Sequence, residues 1–148
     1  MDGEPVVLLV QLPDDSRDMY VEFLQAQGHT VLACEDAEEA LRLAPRADAI
    51  VTGILLAGSA DGIELTTRLR ADERTRHKPI LVLTACVRPS DRERAEAAGC
   101  DVFLPKPCLP EDLLRHIRVL LLRRVRGSPA KSALESPEAR RKDEKRRA

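Results

Sequence analysis

Five short apolar runs, each followed by a stretch of helical period, constrain this chain more than any other feature. The runs are Val6–Val10, Thr30–Cys34, Ala49–Thr52, Ile80–Thr84 and residues 102–104. Several are continuous rather than alternating, as strands buried on both faces are. The intervening segments read as helices. Met19, Tyr20, Phe23 and Leu24 recur at helical spacing after Ser16 and stop before Gly28, a plausible helix-ending glycine. Asp36 with Glu39, and Ser90 with Glu93, have the spacing of capping boxes. Ile63, Leu65 and Leu69 follow an Asp61-Gly62 turn. A last helix opens at Pro110, a favoured first helical position, and carries Leu113, Leu114, Ile117, Leu120 and Leu121 on one face.

Five strand–helix repeats demand a parallel sheet clad on both faces, because each parallel crossover needs a helix-length connection. The expectation is an α/β fold, a three-layer (βα)5 sandwich, occupying residues 1–126. After Gly127 the pattern ends in Gly, Ser, Pro and charge, with no apolar stripe to bury, so residues 127–148 are expected to form a disordered basic tail. That tail holds seven basic and four acidic residues, leaving the rest of the chain mildly acidic within a formal net charge of −1. Its interspersed acids dilute it, and nothing groove-reading is attached, so nucleic acid is not the expected partner. Aromatics make up only 2% of the chain, too few for stacking platforms.

No apolar run is long enough to span a bilayer, and the start, MDGEP, lacks the basic and apolar stretches of a signal peptide. No membrane partner is expected, and the protein is expected in the cytoplasm. Cys34, Cys86, Cys100 and Cys108 show no CxxC spacing and read as reduced thiols, small packing residues rather than zinc ligands.

In open α/β sheets, function gathers at the carboxyl ends of the strands. Those ends point to Gln11 and Leu12, to Gly53, to Thr84 and to Lys106. Asp48 begins the third strand, at the opposite end of the sheet.

Four segments resemble the receiver domains of bacterial two-component signalling. They are VVLLV with its helix and GHTV turn, DAIVTGILLAGSADGIELTTRLR, KPILVLTA, and AAGCDVFLPKP with its Lys-Pro pair. The resemblance implies a flavodoxin-like sheet in the order 2-1-3-4-5. It also implies a phosphorelay chemistry that needs three acidic side chains at the carboxyl edge, two of them just after the first strand. Together they hold a divalent metal, and the third accepts the phosphoryl group. Here the acidic pair falls on Gln11 and Leu12. The acceptor falls on Gly53 counting from Asp48, or on Ile54 counting back from Asp61-Gly62, and neither is a carboxylate. The loop's customary proline is replaced by Ala57.

Other family positions are kept. Thr84 matches the phosphoryl-binding hydroxyl, Lys106 the paired lysine, and Phe103 the aromatic whose rotamer reports the switch. Lys106-Pro107 is expected to be cis. Without acids beside it, Lys106 is expected to point to solvent or to a backbone carbonyl. Thr84 and Lys106 remain either by inheritance or to bind a free anion or a partner's acidic residue. Asp14, Asp15 and Asp61 could be proposed as replacement carboxylates, but their places suit helix capping better.

The expectation is a non-enzymatic pseudo-receiver, with no catalytic residue, metal or cofactor, acting by protein–protein contact. Its partners would be a histidine kinase, an output protein or another receiver. The alternatives are a receiver phosphorylated on a shifted acceptor and a nucleic-acid adaptor acting through the tail. In the family the face between the fourth and fifth helices serves for docking, and Val119 and Leu122, on the charged side of the last helix, are candidate interface residues there, including for a homodimer.

Overall fold

The computed structural model describes residues 4–125. The tail and the boundary expected at 126 lie outside the described residues. Strands β1 (Val6–Val10), β2 (Thr30–Cys34), β3 (Ala49–Thr52), β4 (Ile80–Thr84) and β5 (Val102–Pro105) form one parallel sheet in the order β2-β1-β3-β4-β5. Between and after them run helices α1 (Asp15–Ala26), α2 (Ala37–Leu43), α3 (Gly62–Ala71), α4 (Pro89–Ala98) and α5 (Pro110–Val125), with a 3-10 turn at Ala44–Arg46. This is the flavodoxin-like order expected of the chain.

Period-two alternation sorts the strand residues into two apolar layers. Leu8, Val10, Ile50, Ile80, Val82 and Phe103 share one cluster with Ala37 and Ala40 of α2, Leu65 and Leu69 of α3 and Ala95 of α4. Val7, Leu9, Val51, Leu81 and Leu83 are buried outside that cluster, as are Tyr20 and Leu24 of α1 and Leu113 and Ile117 of α5. β3 and β4 carry no exposed residue at all, which is why their sequences do not alternate.

Helix starts follow local chemistry. The Asp14, Asp36 and Asp61 carboxylates cap α1, α2 and α3, accepting from the backbone N–H groups of Arg17, Glu39, and Ile63 with Glu64. The fourth helix departs from expectation. It opens at Pro89, and Asp91, not Glu93, reaches back to accept from the Arg88 N–H. Pro89 explains the shift, since its fixed φ suits the first helical position and it lacks an N–H to cap. Met19 also departs from the expected core face of α1: it is exposed, and the helix buries Tyr20 and Leu24 instead.

At the amino end of the sheet the charged side chains are tied to backbone. Asp48 accepts from the Val6 N–H at 2.7 Å, and Asp101 accepts from the Ile80 N–H at 2.9 Å. Arg70 donates to the carbonyls of Gly99, Arg76 and Lys78 and pairs with Asp101 at 2.9 Å. One guanidinium, with its donors in a fixed fork, closes the turns before β4 and β5.

Candidate functional site

Gln11 is the first residue beyond β1, and its backbone is held by an N–H bond to the Cys34 carbonyl at 3.0 Å. Its side chain is 4% exposed and turns inward over the sheet edge. The carboxamide Nε2 donates to the Leu83 carbonyl at 3.2 Å, and Oε1 accepts from the Lys106 ammonium at 3.0 Å. Lys106 Nζ also donates to the Ser16 hydroxyl at 3.1 Å and lies 6.0 Å from the centre of the Tyr20 ring. The lysine therefore turns inward to two neutral side-chain oxygens, not to solvent or a backbone carbonyl as expected. The reason is that Gln11 sets an oxygen where the ammonium can reach it, and a half-buried ammonium is favoured by such partners.

Gly53 follows β3, with its N–H bonded to the Val10 carbonyl at 2.9 Å. A Cβ at this position would point at the Gln11 carboxamide, 3.5 Å from both Oε1 and Nε2. Ile54, the alternative register, is buried in the apolar cluster instead. Geometry thus puts position 53 beside Gln11 and Lys106. Thr84, at the end of β4, is 4% exposed, and its hydroxyl accepts from the Cys86 N–H at 2.9 Å. Leu12 turns outward and is exposed. The Lys106-Pro107 bond is cis.

Exposed aliphatics stand on the loops around this polar knot. Leu12, Leu55, Val87 and Leu109 are all exposed, one on each loop leaving β1, β3, β4 and β5. The loop at 53–60 contains no charged residue, nor does the stretch 85–87. This placement was not legible in sequence, because consecutive members are 22 to 43 residues apart and come to one edge only through the sheet order.

Other candidate residues are engaged locally. Asp14 is an exposed cap whose carboxyl sits below the ordinary range, chiefly through the Arg17 N–H, then Ser16. Asp61 is likewise a cap, and Asp15 is exposed at the start of α1. Phe103 is buried, with the Arg92 guanidinium 5.2 Å from its ring centre. Val119 and Leu122 are exposed. All four cysteines are free, two buried and two half-buried, and burial pushes the Cys34 thiol up to about 11. Tyr20, in sequence a face residue of the first helix, also anchors a loop, its hydroxyl donating to the Cys108 carbonyl at 2.6 Å, a role that helical spacing does not mark. No helix among the described residues is long and apolar enough to cross a membrane.

The parallel sheet in this order, with a hydroxyl ending β4 and a cis Lys-Pro after β5, defines a receiver-type module. The response regulator receiver domain model matches residues 7–118, and the chain belongs to that family. It is 39% identical to protein PetR of Rhodobacter capsulatus over 80% of this chain and 49% of PetR. It is 30% identical to the polar-differentiation response regulator DivK of Brucella anthropi, over 68% of this chain and 83% of DivK. The chain spans about half the length of PetR and of several other curated relatives it matches. Among solved structures it resembles the receiver domain of sensor histidine kinase PA1611 from Pseudomonas aeruginosa, with TM-score 0.73 and 30% identity over 80% of this chain and 98% of that one.

The PA1611 receiver has a magnesium ion coordinated in its active-site cleft. The residues of the present chain do not fit one. Gln11 Oε1 already accepts from an ammonium, Leu12 is aliphatic and Gly53 has no side chain, whereas Mg²⁺ is bound through carboxylate oxygens. Among the described residues no group of three His, Cys, Asp or Glu side chains is placed to hold a metal.

Proposed function

We propose that this chain is a pseudo-receiver: a cytoplasmic, non-enzymatic signalling module that binds another protein and accepts no phosphoryl group. The observation that carries the reading is the Gln11 carboxamide. It fills the space beside Gly53 and takes the Lys106 ammonium, in a site where phosphoryl transfer needs carboxylates and a metal. The candidate replacements Asp14 and Asp61 are committed to helix starts. The exposed aliphatic rim supplies the alternative use of the same edge, since apolar side chains gathered on a surface favour protein contact. A histidine kinase, an output protein or another receiver, a second copy included, is the class of partner.

The test is incubation of the full chain with acetyl phosphate and Mg²⁺, followed by intact mass measurement. No phosphoryl adduct is expected. A stoichiometric, hydroxylamine-labile adduct overturns the reading, and its loss on substituting Asp14, Asp15 or Asp61 would locate a shifted acceptor.

A further inference from the structure

The knot at the sheet edge joins four parts of the chain through one side chain. Gln11 leaves β1, donates to the last turn of backbone in β4 at Leu83, and accepts from Lys106 beyond β5; Lys106 in turn reaches Ser16 in α1. Gln11 and Thr84 are each only 4% exposed, and Gly53 is buried beneath them. A carboxamide is suited to this place because it donates and accepts at once. A carboxylate at position 11 could accept from Lys106 but could not donate to the Leu83 carbonyl. No ion pair links Lys106 to a carboxylate among the described residues. Asp14 feels its charge, but the Asp14 carboxylate is spent on Arg17 N–H and the Ser16 hydroxyl.

From this geometry we infer that Gln11 is a built-in plug. Its carboxamide occupies the cationic half-pocket over Gly53 and closes it to small oxyanions such as inorganic phosphate. By the same contacts it holds the turn after β5 and the start of α1 in one arrangement. An anion seated over Gly53 itself would have to move Oε1 away from Lys106, leaving that buried amide oxygen without its donor, and the lost contact opposes entry there. Gln11 is here a positioning residue acting through Lys106. The inference rests on the reading of a non-phosphorylated module but makes a separate claim about ligand access.

The test is a titration of the ¹⁵N-labelled full chain with inorganic phosphate, followed by amide shifts. Wild type is expected to show no saturable shift at Gly53, Thr84 or Lys106. Gln11→Ala is expected to open the site and show saturable shifts at those three amides, and adding Lys106→Gln is expected to abolish them. Saturable phosphate shifts at these amides in wild type overturn the plug, as does a folded Gln11→Ala that responds no more than wild type. Should that variant fail to fold, wild type alone decides. The Gln11 side-chain N–H protons should exchange with solvent at least about ten-fold more slowly than those of exposed Gln25 and Gln27. Equal exchange sinks the plug. An acyl phosphate formed elsewhere on the chain would defeat the proposed function while leaving the plug standing.

Discussion

The two ends of the sheet use charge in opposite ways. At the amino end Asp48, Asp101 and Arg70 are kept, and their bonds to backbone N–H and carbonyl groups fix where strands begin. At the carboxyl end an amide, a threonine and one lysine stand over the sheet edge, Asp14, Asp36 and Asp61 cap the helices that leave it, exposed aliphatics sit on the loops, and the backbone is packed tightly. The tightness shows at Gly62, where a Cβ would overlap the Gly53 carbonyl oxygen and crowd the Thr52 hydroxyl. One end is rigid through its side chains, the other through its main chain. Charge at the first fixes strand starts; charge at the second caps helices and leaves the centre of the edge to neutral side chains and one lysine.

Substitutions can break that contrast, beginning with the largest effect. Gly62→Ala should cost about 3 kcal/mol, the upper end for overpacking, because the obstruction is backbone and cannot rotate away. A urea midpoint near that of wild type would show the carboxyl edge to be softer than described. Arg70→Ala should cost roughly 2–3 kcal/mol, removing bonds to three carbonyls and leaving Asp101 without its cation. Chemical denaturation at unchanged m-value reads it, and a negligible loss would deny the amino end its side-chain rigidity.

Smaller effects sharpen the comparison. Asp91→Ala should destabilise less than either, through loss of the capping-box bond to the Arg88 N–H. The Arg88 guanidinium holds the Asp91 carboxyl below its ordinary range, so this contribution is present above the ordinary carboxylate range and lost as pH falls through the lowered pKa. Variant and wild-type stabilities should therefore converge in acid. Gly53→Ala should be neutral or stabilising by up to about 1 kcal/mol, since its φ is not positive and the new Cβ meets only ordinary contacts. Iodoacetamide at neutral pH should alkylate half-buried Cys86 well before Cys34, whose thiol burial raises to about 11. Peptide mass mapping gives the order.

Strand positions, sheet order and the place of the site were legible in sequence because they rest on periodicity and on the family's ordered motifs. β1 to β4 run over the expected residues, and β5 extends one further to Pro105. What was not legible depended on where side chains turn. Lys106 reads as a cation without partners until Gln11, 95 positions away, is seen to face it. The head of α4 was misplaced because Ser90 and Glu93 have the right spacing but Pro89 sets the start. The rim of Leu12, Leu55, Val87 and Leu109 exists only in three dimensions.

The neighbouring glycines also bear on how such a chain can change over generations. Position 53 has room for a Cβ and position 62 does not, so a carboxylate side chain could start from 53 without a backbone clash. Alone it would face an amide that is already occupied and an aliphatic Leu12, with no metal to offset it. Lys106 could pair with a single acid at 11 or 53, but a metal held through carboxylate oxygens would need acids at 11, 12 and 53 together.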